Sequence, residues 1–151
     1  MEPKYLNPFV NKSSIILNKN NFDKNKYIII TEGLIDADAV GQQGTSILGK
    51  ELSLEFVDII KQYTDVGIIV VMDNDEDGIK KLYDYTKKYN TLKYFLMPKN
   101  YYVKDLNDLV TQNIINRDNI YNFILENSFN SIKARTKIVF ENRVKNKSEG
   151  G

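Results

Sequence analysis

Two short acidic runs hold the residues of this chain best suited to chemistry: Glu32-Gly33-Leu34-Ile35-Asp36 and Asp73-Asn74-Asp75-Glu76-Asp77-Gly78. The 151 residues include no Cys, no His and no Trp. Disulfide frameworks, Cys/His zinc sites, haem ligation and Cys-His or Ser-His-Asp catalysis are thereby excluded. Chemistry is left to carboxylates, Lys, Arg, Tyr and hydroxyls. Along an extended chain Asp73 and Asp75 point to the same side, where they could hold one or two hard cations through oxygen. Mutual repulsion among Glu32, Asp73 and Asp75 is costly unless cations are present, and magnesium favours such partial carboxylate shells completed by water and phosphate. The run Asp73–Gly78 also reads as a polar turn that caps the next helix. Its Asp73-x-Asp75-x-Asp77-Gly78 spacing imitates the start of an EF-hand calcium loop, but Asp84 stands where such a loop has Glu, and an apolar strand precedes it.

The elements that must position these acids alternate in type. Tyr27–Thr31 is a β-branched run, followed by a helical pattern over Leu34–Gln43. A short strand fits Thr45–Leu48. Ser53 is placed to cap a helix whose apolar positions Leu54, Phe56, Val57, Ile60 and Tyr63 recur at helical spacing. Gly67–Met72 is continuously apolar, as expected of a central strand covered on both faces. A helix over Gly78–Tyr89, a strand over Leu92–Met97 ended by Pro98, and helices over Asp105–Ile114 and Arg117–Glu126 complete the pattern. Such alternation predicts βαβ units: an α/β fold with a mostly parallel central sheet of about four strands and helices on both faces. Both acidic runs follow strands directly, so they fall on the carboxyl edge where open α/β sheets bind ligands.

Charge is segregated. The net charge of +1 divides into +3 over residues 1–26, −6 over 27–130 and +4 over 131–151. An acidic middle with basic ends suits a carboxylate site that recruits divalent metal beside surfaces that hold phosphate; it equally describes solvated faces and a basic tail. No apolar run approaches the roughly 20 residues of a membrane span, and the polar start Met1–Leu6 lacks the apolar region of a signal peptide.

Glu32-Gly33-x-x-Asp36-Ala37, followed one βαβα unit later by the strand-end Asp73-x-Asp75-x-x-Gly78, resembles the Toprim domain of bacterial-type primases, topoisomerases and certain nucleases. Further segments resemble DnaG-type primases in particular. These are Gly44-Thr45-Ser46-Ile47-Leu48-Gly49 with Leu52-Ser53; Pro98 followed by Lys104-Asp105-Leu106-Asn107-Asp108, similar to a "P...KDPND" element; and Pro3-Lys4-Tyr5-Leu6-Asn7, similar to a "KYLN" stretch. Ala134-Arg135-x-Lys137-x-x-Phe140 is similar to the C-terminal tail of T-even-type phage primases. The likeness covers nearly the whole chain, most securely Tyr27–Leu109. It implies a Toprim (Rossmann-like) domain over 27–114, preceded by a basic irregular lead-in at 1–26 and followed by a basic helical extension at 115–147 and a disordered tail at 148–151.

The resemblance implies the metal-dependent catalytic part of a DNA primase, in the cytoplasm, or the host cytoplasm if phage-encoded. Magnesium (or manganese) would sit on Glu32, Asp73, Asp75 and Asp77, of which Glu32, Asp73 and Asp75 are the expected catalytic residues. Gly33, Lys50 and Lys104 are expected at nucleotide phosphates, with Asp36, Gly78 and Asp105 in support. Lys133, Arg135, Lys137 and Arg143 are expected to contact nucleic acid. The implied partners are single-stranded DNA template, nucleoside triphosphates, a replicative helicase and a separate zinc-binding or basic primase subunit. A zinc module needs Cys and His, and only residues 1–26 precede the first strand. The chain is therefore expected to be a fragment, one gene of a split primase or a stand-alone Toprim protein. A Toprim nuclease and a non-catalytic replication docking module remain as alternatives.

Several of these residues carry a plainer reading as well. Gly33 would let the chain turn sharply beside Glu32, where a Cβ would crowd metal or phosphate, or be an ordinary turn glycine. Asp36 and Asp105 suit helix caps, and Lys50 suits open surface. Asn74 replaces a Gly of the family pattern and would tolerate a positive φ there; Asp77 replaces a small residue. Tyr83, Tyr85, Tyr89, Tyr94, Tyr101 and Tyr102 would either stack bases or pack at the edge of the core.

Overall fold

A computed structural model describes residues 16–141 and 143 of the chain. The Pro3–Asn7 stretch and the expected disordered tail lie outside the described residues. Strands β1 (Ile28–Thr31) and β3 (Ile68–Val71) are buried along their whole length. Their apolar residues alternate between two cores. Ile28, Ile30, Ile68 and Val70 enter one layer with Phe56, Val57 and Ile60 of α2 (Leu54–Lys61), Leu82 and Tyr85 of α3 (Glu76–Lys88), and Ala134 and Ile138 of α6 (Ser131–Phe140). Ile29, Ile69 and Val71 enter the other with Ala39 of α1 (Leu34–Val40), Leu106 and Leu109 of α4 (Leu106–Thr111), and Ile120, Phe123 and Ile124 of α5 (Ile120–Glu126). A period of two thus feeds both faces of a covered sheet.

The sheet has five strands in the order β2-β1-β3-β4-β5, where β2 is Gly44–Ser46, β4 is Lys93–Phe95 and β5 is Ser128–Asn130. The first four are parallel, and β5 is antiparallel to β4. The fifth strand is one more than the sequence pattern suggested. Ser128-Phe129-Asn130 has a single apolar residue, so its pairing with β4, and not its own propensity, makes it a strand. It delivers α6 onto α3, where Arg135 Nη1 donates to the Thr86 carbonyl at 3.2 Å. Residues 16–26 are irregular yet fastened to the β2 side of the sheet. Asn18 Nδ2 donates to the Gly44 carbonyl at 2.7 Å, and the Asp23 N–H donates to Gln43 Oε1 at 2.7 Å.

Three tyrosines settle in the interior. The Tyr94 hydroxyl donates to the carbonyls of Tyr85 and Tyr89, the Tyr89 hydroxyl donates to the Leu52 carbonyl at 2.7 Å, and the Tyr85 hydroxyl accepts the Leu52 N–H at 3.0 Å. Each of these three buried hydroxyls is thereby satisfied, as burial requires. No helix among the described residues is long and apolar enough to cross a membrane.

Candidate metal centre at the carboxyl edge of the sheet

Thr31 of β1 lies opposite Val71 of β3 in the parallel register, so Glu32 and Asp73 leave the sheet side by side. From β1 the sheet runs to β2 on one side and to β3 on the other, the topological switch point where open α/β sheets form a crevice. The Asp73 N–H donates to Glu32 Oε1 at 3.2 Å. Glu32 Oε2 meets Lys81 Nζ of α3 at 2.8 Å, and Lys81 also reaches Asp77 at 3.4 Å. The hydrogen bond to Glu32 drives the Lys81 ammonium pKa upward. Asp75 caps α3, its Oδ1 accepting the Gly78 N–H at 2.8 Å, and its Oδ2 lies 3.9 Å from Lys104 Nζ.

Besides Glu32, Asp73 converges on Asp36 and Asp105, two residues expected only in support. One carboxylate oxygen from each of Asp36, Asp73 and Asp105 lies within 4.8 Å of the other two. Asp36 comes from α1, Asp73 from the end of β3 and Asp105 from the cap of α4. The backbone holds them there: Asp36 Oδ1 accepts the Asn107 N–H at 3.0 Å, and Asp105 Oδ1 accepts the Asp108 N–H at 2.9 Å. Among the described residues none of the three takes part in a salt bridge. Burial raises the Asp36 pKa to about 7, with the charges of Asp105, Asp73 and Asp108 adding to it and the Asn107 hydrogen bond opposing. Burial and then the charge of Glu32 raise Asp73 to about 6. An all-oxygen group in this condition is matched to a hard divalent cation.

Local geometry accounts for one motif glycine and not the other. A Cβ on Gly78 would stand 2.1 Å from the Asp73 carbonyl oxygen, so only glycine lets the first turn of α3 close over the strand end. Gly33 has an extended backbone with φ −118°, and a Cβ there would meet no protein atom within 4 Å. The chain does bend at Glu32 and Gly33 on its way into α1, but neither a positive φ nor a close protein contact makes that bend depend on glycine. Nor is Asn74 among the described non-glycine residues with positive φ, which are Asn18, Leu48 and Asn113. Asn74 works through hydrogen bonds instead: its N–H donates to the Lys104 carbonyl and its Nδ2 to the Val103 carbonyl at 2.8 Å, which straps the β3 end to the segment before α4.

Residues 29–110 match the profile of a family described as Toprim-like. The chain belongs to the Toprim-like family. It is 38% identical over 66 residues to a DNA primase of Campylobacter jejuni, a match covering 41% of this chain and 11% of that protein. Among solved structures it resembles the RNA polymerase domain of Mycobacterium tuberculosis primase DnaG, with TM-score 0.65 and 18% identity over 89% of this chain and 49% of that one. The zinc-binding and RNA polymerase domains of Aquifex aeolicus primase give TM-score 0.62 and 15% identity over 85% of this chain and 34% of that one. The α/β fold thus matches DnaG primase domains, and the Toprim chain spans less than half the length of each of these relatives.

Around this Toprim centre the other expected residues divide. Lys50 is exposed in the turn after β2, and Lys104 is exposed beside Asp75. Lys133 is exposed with its ammonium 5.4 Å from the Phe129 ring centroid. Arg135, Lys137 and Arg143 serve the protein itself. Arg135 ties α6 to α3, Lys137 pairs with Glu141 at 3.0 Å, and Arg143 Nε meets Glu141 Oε1 at 2.6 Å while its Nη1 donates to the Met97 carbonyl at 2.7 Å. Sequence reasoning missed Lys81. Its spacing from Asp77 marked it as an i,i+4 partner, whereas its bond to Glu32 depends on how α3 lies against β1.

Proposed function

We propose that this Toprim domain is the metal-dependent catalytic part of a DNA primase, making RNA primers from nucleoside triphosphates on a single-stranded DNA template. The observation that carries the reading is the convergence of Asp36, Asp73 and Asp105, with no salt bridge among the described residues, at the switch-point edge of a Toprim sheet. The chain's place within the Toprim-like family and its likeness to DNA primases support it. Asp36, Asp73 and Asp105 would hold Mg2+ or Mn2+. A bound divalent cation supplies charge neutralisation on a triphosphate and a lowered pKa for an attacking hydroxyl. Glu32, oriented by Lys81 and the Asp73 N–H, serves the same edge as a further ligand or as a proton acceptor. Lys104 offers an ammonium for phosphate. Asp75 and Asp77 act at one remove, by capping α3 and by positioning Lys81.

On this reading primer synthesis also needs the part of the polymerase that the matched domains have beyond the aligned region. That part would come from a zinc-binding or basic primase subunit, and a replicative helicase would bring the enzyme to the template. One related structure includes a zinc-binding domain. Another is a Mycobacterium tuberculosis primase domain in complex with a double-stranded DNA oligomer bearing a 6-nucleotide overhang. The test is primer synthesis by the reconstituted enzyme with Asp73→Asn, where a loss of about 100-fold or more is expected. Full activity in that variant overturns the assignment. Cleavage of DNA or RNA with Mg2+ or Mn2+ and no nucleotides would make the domain a nuclease. Helicase capture without nucleotide incorporation would make it a docking module.

A further inference from the structure

Of the six tyrosines spread over Tyr83–Tyr102, the core absorbs Tyr85, Tyr89 and Tyr94. Tyr83 lies under the Lys87 ammonium at 4.5 Å, and Tyr101 packs edge-on against Phe123 at 5.5 Å. Tyr102 is 93% exposed, and among the described residues its ring has no aromatic or cation partner. Its backbone is nonetheless anchored on both sides. The Tyr101 N–H donates to the Pro98 carbonyl at 3.0 Å, Val103 is buried, and the Val103 carbonyl accepts Asn74 Nδ2. An aromatic side chain with both faces open, on a segment fixed to its neighbours, is a preorganised contact surface and not a loose loop tip.

Tyr102 stands on the wall of an open groove of about 540 Å³ that runs from Asn74 and Asp75, at the acidic edge, to Glu141 and Arg143, beyond α6. Two cations line it with charge to spare. Lys99 Nζ donates to the Glu141 backbone carbonyl at 3.0 Å and takes part in no salt bridge among the described residues. Lys104 is 59% exposed and only 3.9 Å from Asp75, an ion pair of little strength in water. Arg143 is already consumed by Glu141 and Met97 and forms the far wall.

An exposed aromatic flanked by ammonium groups is the arrangement by which proteins take unpaired bases and their phosphates without reading sequence. We infer that this groove binds a segment of single-stranded nucleic acid, one base stacked on Tyr102 and phosphates at Lys99 and Lys104, with the strand directed toward Asp73. The open shape favours a strand that continues past both ends, because a site for one free nucleotide encloses most of its ligand. This rests on the proposed primase reading and adds the path of a strand to it.

The test is fluorescence anisotropy of a labelled oligo(dT) with the full chain in chelator. Tyr102→Ala is expected to weaken binding about 10-fold and Tyr102→Phe to leave it within about 2-fold, as stacking requires. Lys99→Met should weaken it and flatten its salt dependence. A photoreactive thymine analogue in the oligonucleotide should crosslink to Tyr102. Equal binding by Tyr102→Ala and the parent chain overturns the inference, as does displacement of oligo(dT) by ATP at equal nucleotide concentration, which would assign the groove to a free nucleotide. A Mn2+-induced rise in Tm, measured in Tyr102→Ala, keeps the two readings apart. Its presence with unchanged oligo(dT) affinity sinks the groove alone. Its absence beside Tyr102-dependent oligo(dT) binding sinks the metal centre alone.

Discussion

Glu32, Asp75 and Asp77 each lie within 4 Å of a lysine, whereas among the described residues Asp36, Asp73 and Asp105 face one another with no salt bridge, Lys104 acting on Asp73 only from farther off. The two halves of the acidic edge are neighbours, built on the same strand ends, and their residue types are alike. What separates them is where basic residues from elsewhere arrive. Lys81 comes in from α3 to pair with Glu32 and Asp77, and Lys104 comes from the segment before α4 to lie nearest Asp75. Of these contacts the Lys81–Glu32 pair at 2.8 Å is the close one, and the pairs of Asp75 and Asp77 are exposed and weak in water. The half these lysines leave brings like charges together, and burial first, with neighbouring carboxylate charges adding to it, raises the pKa values of Asp36 and Asp73. Acid count does not separate the two halves; the pattern of compensation does.

The largest expected break removes the geometry common to both halves. Gly78→Val would drive a side chain into the Asp73 carbonyl oxygen, 2.1 Å from even a Cβ, so α3 must lift from the strand end. We expect a loss of about 3 kcal/mol or more, together with loss of any Mn2+-induced rise in Tm. A Tm within a few degrees of the parent would show that α3 does not close on the strand end as described.

The uncompensated half should also reveal itself by pH. Asp36 at about 7 and Asp73 at about 6 hold protons more tightly in the folded chain than at their ordinary 3.8. For a raised carboxylate the stabilising effect is full below about pH 4 and is lost as pH rises from there through the folded values, here mainly between about pH 4 and 7. In chelator, stability should therefore fall over that range, by on the order of 1–3 kcal/mol from Asp36, which is the more buried. Asp36→Asn keeps an acceptor for Asn107 and should flatten the slope, and Mn2+ should flatten it in the parent chain. Thermal denaturation across this pH series checks all three, and a flat profile in chelator contradicts an uncompensated triad.

Conversely, Lys81→Met would make the paired half resemble the unpaired one. Glu32 would keep the Asp73 N–H but lose its ion pair, at a cost of about 1–2 kcal/mol at pH 8 without metal. The Mn2+-induced rise in Tm should then exceed that of the parent chain, because Glu32 is released toward the same edge. An unchanged response would mean that the Lys81 ammonium does not compete with a cation for Glu32.

How much of this could be read in the sequence follows from which interactions are local. Covered strands announce themselves as apolar runs, Asp105 as a helix cap and Asp73–Gly78 as a capping turn, because strand burial and capping depend on neighbours in the chain. The partners of Asp73 do not. Period-two alternation along the strand put Asp75 on its side, but Asp75 leaves the strand to cap α3, and the space beside Asp73 is filled by Asp36 and Asp105 from distant segments. β5 was missed for a similar reason, since its strand character comes from β4. The basic residues after Ser131 looked like a nucleic-acid surface by charge alone. Yet Arg135 and Arg143 spend their guanidinium groups on carbonyls and a carboxylate of their own chain.

Asp77 provides the smallest and most discriminating change. It is 78% exposed, and its bond to Lys81 is an i,i+4 pair on the helix surface, of a kind that contributes little to stability in water. The motif alone gives Asp77 the same claim to metal as Asp73. Compensation gives it none, because Lys81 already answers its charge and it lies outside the converging triad. Asp77→Asn should therefore leave both the Tm and its Mn2+ response at parental values while Asp73→Asn abolishes the response. A response lost equally in both variants would erase the distinction between the two halves and return the centre to an undivided acidic cluster.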